Sequence, residues 1–266
     1  MNEALLIIGH GSRDPAGVEE FLQIGRALAE RRAGQATGVA FLEFERPTIG
    51  EAIDQLATAG AARIICQPGM LFAAGHVKDD VPREVQAAMR RWPRIEFLIG
   101  PAFDAHAKLL ELCRIRWDEA IQVHSRCPAN ETMLLVVARG SNDSDANAGV
   151  AAIAKLLGES YGVGRAVACY SGMAPPLMSE ALELAVRSGF RRIVVQPFFL
   201  FTGVLVQRIH SLTREAAERN PELQILSTGH LGVHSRLVDV FQERAESSCP
   251  LARYRSSVSG PVTQNC

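Results

Sequence analysis

The chain has 266 residues, 47% hydrophobic and 21% charged, a composition that excludes a disordered chain and suits one large globular unit or two domains of ordinary size. A formal net charge of -1 supplies no global positive field, so no nucleic-acid or membrane partner is expected, and an anionic ligand must be met by local basic groups. The first apolar run, Ala4 to Ile8, follows an acidic Glu3, and no run approaches the ~20 residues needed to span a bilayer, so a soluble, cytoplasmic protein is expected.

Short β-rich apolar runs alternate with longer amphipathic segments, which predicts βα units around a parallel sheet. In the first half, strands are expected near 4–9, 37–43, 62–68 and 95–99. The first helix opens at Asp14-Pro15, an N-cap followed by proline at the first helical position, and its apolar positions Val18, Phe21, Leu22 and Ala29 suit one buried face. A second helix follows Ile49, a third covers about 82–91 and a fourth about 104–123, after which HSRCPANET forms a linker. From Met133 the pattern starts again and continues to about Ala245. The last segment, 247–266, is rich in Ser, Gly and Pro without periodicity and is expected to be disordered.

The restart is a repeat. MLLVVARGSND, from Met133, lies over ALLIIGHGSRD, from Ala4, at an offset of 129. VACYSGMAPPL lies over VAFLEFERPTI at 128, RRIVVQP over ARIICQP at 129, and Gly229 over Gly100 at 129. Four blocks in one order predict two copies of one domain, 1–124 and 132–246, each a four-stranded parallel sheet flanked by helices.

The histidine in GHGSRDP, between two glycines at a strand end, fits several chemistries incompletely. A dinucleotide fingerprint would place Asp14 where a helix-packing glycine belongs. No P-loop occurs anywhere, so ATP-driven chemistry of that kind is excluded, and the hydrolase elbow G-x-S-x-G is absent around Ser12. A histidine-phosphatase strand end would carry arginine where Gly9 stands, and a solvated loop histidine is the plain alternative. The neighbouring strand ends favour a metal. Glu43 ends the second strand, and His76 lies in the connection after the third, where Val81, preceding a proline, is expected to keep it on a loop. Two imidazoles and a carboxylate on one rim suit a divalent transition metal with open coordination positions. Their second-copy equivalents are Arg139, Ser171 and either Val204 or Leu205, while Gly140, Ser141, Asp143, Pro175, Gln196 and Pro197 match their counterparts. The donors vanish as a set and the scaffold stays. Six scattered cysteines include no C-x-x-C pair, and Cys66 and Cys169, in apolar strands, are expected to be buried free thiols.

GHGSRDP, FLEFERPTI and QPGMLFAAGHVKDDVP, in this order, resemble the class II chelatases of the sirohydrochlorin cobaltochelatase and ferrochelatase type, in the long form that fuses two domains. The resemblance extends to about Ala245 and implies ATP-independent insertion of a divalent metal into sirohydrochlorin. The metal implied is Co²⁺ for cobalamin, with Fe²⁺ for siroheme or Ni²⁺ as alternatives. It implies His10, Glu43 and His76 as the metal ligands and catalytic groups, and a monomer that acts as a fused pseudo-dimer. Because the substrate bears many carboxylates, Ser12, Arg13, Arg46, Lys78, Arg139 and Arg208 are candidates to bind it, and Phe198, Phe199 and Phe201 are candidates to pack its ring. Cys249 and Cys266 are too isolated to hold an iron–sulfur cluster, so none is expected. A His/His/Glu zinc hydrolase and a non-catalytic metal or tetrapyrrole carrier remain as rivals.

Overall fold

The computed structural model describes residues 2–122 and 127–254, without the side chains of His76 and Val77. Most of the linker's first half and the segment from 255 on, with Cys266, lie outside the described residues. The first repeat runs through β1 (Glu3–Gly9), α1 (Pro15–Arg31), β2 (Ala36–Phe41), α2 (Ile49–Thr58), β3 (Arg63–Pro68), a π-helical turn (His76–Asp80), α3 (Val81–Arg91), β4 (Glu96–Ile99) and α4 (Ala107–Ile121). The second has β5 (Thr132–Ala138), α5 (Ser144–Tyr161), β6 (Arg165–Tyr170), α6 (Met178–Val186), β7 (Arg192–Pro197), α7 (Val204–Arg219), β8 (Gln224–Ser227) and α8 (Ser235–Glu246), followed by a two-residue strand β9 (Cys249–Pro250).

The two sheets have the orders β2-β1-β3-β4-β9 and β6-β5-β7-β8, with every pairing parallel except that of β9 with β4. The tandem α/β architecture expected from the repeat is therefore present, with an antiparallel strand added to the first sheet. Asp14 caps α1 by accepting the Ala16 N–H at 3.0 Å, with Pro15 at the first helical position. The face that α1 buries is Gly17, Phe21, Ile24, Gly25 and Leu28, whereas Ala29 faces solvent.

Repeats and compact units divide the chain differently. One unit comprises the residues up to Asp104 together with those from Val233 on, and the other is Ala105–Gly232. Helix α4, encoded by the first repeat, thus belongs to the second unit, and α8, encoded by the second repeat, belongs to the first. The connections responsible follow β4 and β8. Phe103 and Asp104 donate their N–H groups to the Met70 and Leu71 carbonyls, at 2.9 and 2.7 Å, as Leu231 and Gly232 do to Phe199 and Leu200, at 3.0 and 2.9 Å. Asp104 and Gly232 then take left-handed backbone, φ 50° and 66°, which redirects the chain.

Each incoming helix is fastened to such a turn by an arginine. In the first unit Arg244 of α8 donates to the Phe103 carbonyl. In the second, Arg116 of α4 donates Nε to the His230 and Leu231 carbonyls, at 3.0 and 3.1 Å, and Nη2 to Leu231 at 2.8 Å. Burial pushes the Asp104 carboxyl up, a shift that Arg244 opposes, and burial likewise pushes the Arg244 guanidinium down.

In the first unit α8 packs on α1 and β3, closing an aromatic layer in which Phe21 stands 5.5 Å from Phe41 and Phe103 stands edge-on to Phe241 at 4.8 Å. The opposite face of that sheet carries Leu6, Ile8, Ile53, Ile64, Cys66, Val85 and Ile99. Cys249, Leu251 and Tyr254 join this core. The expected disorder of 247–266 is therefore corrected for its first part: β9 pairs with the edge strand β4, and Tyr254 is 1% exposed, because the apolar residues Leu251 and Tyr254 fall where the sheet edge needs cover. Phe198, a candidate for packing a ligand, is 1% exposed and belongs to the core of the second unit. Cys66 and Cys169 are buried free thiols, as expected.

Replacing Tyr254 with alanine should lower the unfolding free energy by about 3 kcal/mol in urea titration, whereas a disordered tail would give no change. In the second unit the His210 imidazole bonds Ser227 Oγ at 2.9 Å, and burial, aided by His230 and Arg214, pushes its pKa down. The unfolded chain therefore takes up the proton more readily, so this group's contribution is complete above the unfolded value of about 6.5 and is lost as pH falls below it. Thermal melts of wild type and His210→Gln should accordingly converge as the pH falls below about 6.5, with wild type losing the more.

Candidate functional site

In the order β2-β1-β3-β4, the chain leaves β1 for one edge and β3 for the other, so the connections diverge and leave a crevice beyond the carboxyl ends of β1 and β3. His10 directly follows β1, Glu43 stands just past β2, and the connection after β3 leads to His76. His10 and Glu43 thus stand at neighbouring strand ends on the side where a sheet of this type binds ligands, whereas His76 stands eight residues beyond the end of β3.

Backbone hydrogen bonding carries the β1/β2 pairing past the strands. Leu42 donates to the Gly9 carbonyl and Glu43 to the His10 carbonyl, both at 3.0 Å. Gly11 has φ +90°, and a Cβ there would lie 1.8 Å from the Glu43 carbonyl oxygen. That close approach explains the glycine after the histidine. Gly140 repeats it in the second unit with φ +84° and a Cβ position 2.2 Å from the Gly172 carbonyl oxygen.

Strand register corrects three of the expected equivalences. Gly9 pairs with Phe41 and Ala138 with Tyr170, so the counterpart of Glu43 is Gly172 rather than Ser171, and that of Pro47 is Pro176 rather than Pro175. Matching letters had placed this block one residue out. At the fourth strand, Gly100 and Thr228 make the same bond, to the Cys66 and Val195 carbonyls at 3.0 and 2.9 Å, so Thr228 rather than Gly229 matches Gly100.

His76 opens the π-helical turn, which runs without a break into α3, so its expected place on a loop is also corrected. Pro82 stands where the π turn passes into α3, and a widened turn of this kind lets the helix continue through a residue without an N–H, despite the bias of Val81 against helix. Lys78 donates to the Ala74 carbonyl as Gln207 does to Gly203, both at 3.0 Å, which makes Leu205 the counterpart of His76. Further on, Ile95 donates to Trp92 as Leu223 does to Asn220, one residue closer in spacing, and buried Val81, Val85 and Ala88 answer Ile209, Thr213 and Ala216. The extra residue of the first unit is taken up by the π turn.

The remaining candidates separate by role. Ser12 Oγ accepts the Asp14 N–H at 3.0 Å, and Ser141 Oγ accepts the Asp143 N–H at 3.0 Å, so both serines hold the turn before a helix. Arg46 is exposed and paired with Glu51, whose carboxylate also accepts the Thr48 N–H at 2.9 Å. Lys78 lies in the π turn, whereas exposed Arg139 and Arg208 belong to the second unit, Arg139 in the place of His10. His10 is partly buried, with Nε2 out of contact with solvent. Its ring lies 6.4 Å from that of Phe44, inclined by 26°, and the Arg13 guanidinium stands 5.0 Å from the same ring centre. Phe44 was not among the sequence candidates. Its signal was an apolar residue in a polar turn, aligned with Met173 once the register is right.

Among the described residues, which exclude the His76 side chain, no three His, Cys, Asp or Glu side chains form a metal-holding group. Burial pushes the thiols of Cys66, Cys113 and Cys169 up to about 12, which keeps them protonated and poor metal donors.

The CbiX family model matches residues 4–120 and again 133–248, one match for each repeat. The chain belongs to the CbiX family. A sirohydrochlorin cobaltochelatase of Priestia megaterium is 31% identical over 265 residues, covering 99% of this chain and 83% of the relative. A sirohydrochlorin ferrochelatase of the same organism is 28% identical over 246 residues, covering 92% and 90%. Among solved structures, SirB from Bacillus subtilis with Fe³⁺ superposes with a TM-score of 0.81 at 23% identity, each chain covered to 98%. The sirohydrochlorin chelatase SirB of B. subtilis subspecies spizizenii in complex with cobalt gives 0.78 at 24%, covering 93% of this chain and 95% of that one. These two likenesses show that this CbiX-family chain shares their fold.

Gly11→Ala should cost about 2 kcal/mol or more in urea titration, because strain and collision add. Gly34, with φ +88° and nothing within 4 Å of its Cβ position, isolates the strain, so Gly34→Ala should cost about 1 kcal/mol.

Proposed function

We propose that this chain inserts a divalent metal into sirohydrochlorin without ATP, Co²⁺ being the preferred ion. The observation that supports the proposal is that His10 and Glu43 follow the neighbouring strands β1 and β2 and His76 lies in the connection after β3, in a chain alignable along 99% of its length with a sirohydrochlorin cobaltochelatase. Nitrogen and oxygen donors of this kind do not themselves select cobalt over nickel, copper or zinc, so the preference for Co²⁺ rests on that relative. Fe²⁺, for siroheme, is the alternative that the ferrochelatase relatives support.

In this mechanism His10 and His76, as neutral imidazoles, and Glu43, as an anion, hold the ion with coordination positions left to water. The macrocycle loses two pyrrole N–H protons as the ion enters. Ring nitrogens replace the protein donors one at a time, and each imidazole or carboxylate set free is a base within reach of a departing proton. Three donors suffice to present the ion and few enough let it go. Arg13, Arg46 and Lys78, on the unit that carries His10 and Glu43, are assigned to substrate carboxylates. The reaction needs no iron–sulfur cluster. Among the described residues no helix is long and apolar enough to cross a membrane, and we place the chain in the cytoplasm, working as a single chain.

The test is anaerobic metallation of sirohydrochlorin with Co²⁺, Fe²⁺ or Ni²⁺, followed by absorbance. His10→Ala and His76→Ala should each lower kcat/KM by about 100-fold, a loss at least equal to that expected for a group orienting a ligand. Arg139→Ala should stay within about fivefold of wild type, since an exposed charge contributes a few tenths to one kcal/mol. A wild-type rate equal to the uncatalysed one with every ion would overturn the proposal and leave the carrier or hydrolase.

A further inference from the structure

Phe44 sits in the turn after β2 with φ 67°, left-handed backbone that costs a bulky residue about 1–2 kcal/mol and that asparagine or glycine would take more easily. Its side chain is 54% exposed. The corresponding turn of the second unit has the same conformation, φ 61°, and projects Met173 at 59% exposure. The turn is therefore a scaffold feature that holds a large apolar side chain out of the core, and in the first unit that side chain is aromatic and lies beside two residues of the candidate site. His10 stacks near it at 6.4 Å, and the Arg13 guanidinium stands 5.0 Å from its centre.

A guanidinium over an exposed ring is held by about 0.5–1 kcal/mol, weak enough to exchange for a carboxylate. A planar macrocycle with carboxylates around its edge needs an apolar π-face contact and a cation within one ring's width of it, beside the donor that presents the metal. Phe44, Arg13 and His10 are that arrangement. Building on the proposed chelatase function, we propose that Phe44 contacts the tetrapyrrole directly, taking the face of the macrocycle while Arg13 leaves its ring to bind a peripheral carboxylate.

Phe44→Asn removes the ring and suits the left-handed backbone, so it should fold as wild type does. With Co²⁺ saturating, it should raise KM for sirohydrochlorin about tenfold, the loss of a stacking contact of about 1–1.5 kcal/mol, with kcat changed less than threefold. Phe44→Tyr should recover KM to within about twofold, because the ring is restored. Calorimetric titration with Co²⁺ alone should give Phe44→Asn the wild-type affinity. The assignment fails if KM in Phe44→Asn is unchanged, if Phe44→Tyr behaves like Phe44→Asn, or if Co²⁺ affinity falls in step with KM, which would make Phe44 a support for His10 only. An inactive wild type would sink the chelatase proposal instead, so the two failures are distinct.

Discussion

Each sheet of this chain is covered on one face by a helix of its own repeat together with one that the other repeat encodes, and an arginine on the second helix binds the carbonyls of the turn where the chain departs. A sheet with part of an apolar face bare is poorly stable in water, so the helix exchange makes each repeat depend on the other to complete that layer. The guanidiniums of Arg244 and Arg116 make the join specific, since each satisfies carbonyls that neither strand nor helix hydrogen-bonds. The repeat is in this sense a unit of ancestry, and the packed unit is assembled from both copies.

On this frame the two rims have diverged while the turns beneath them have stayed the same. Gly11 and Gly140 pass equally close to the neighbouring strand's carbonyl, and Ser12 and Ser141 hold equivalent N–H groups. Above those turns one rim carries His10 and Glu43 where the other carries Arg139 and Gly172. An arginine cannot donate electrons to a metal and a glycine has no side-chain donor, so the second rim keeps the turn geometry but lacks the donor pair that the proposed mechanism uses.

Much of the fold was legible because βα alternation, the Asp14-Pro15 cap and the repeat are local or periodic signals. The exact pairing of the repeats was less legible. Val39-Ala40 and Val167-Ala168 match by letter at one offset, whereas hydrogen-bond register, which no single residue announces, requires another. The exchange of helices was invisible for a similar reason: amphipathicity shows that α4 and α8 bury a face without saying which sheet receives it. The tail was misjudged on composition, where two apolar residues, Leu251 and Tyr254, outweighed the serines around them. Phe44 was overlooked because an aromatic residue in a turn looks incidental until its neighbours are known.

The π turn that His76 opens has a bearing on how such a rim can change. An α-helix advances about 100° per residue, so one added residue would ordinarily rotate every side chain beyond it off the core. Here the widened turn absorbs the addition, and Val81, Val85 and Ala88 meet the sheet in the same phase as Ile209, Thr213 and Ala216. Chain length in the connection between β3 and α3 is thereby uncoupled from the hydrophobic layer below, and that connection can be lengthened or shortened by a residue without disturbing the packing on which the unit stands.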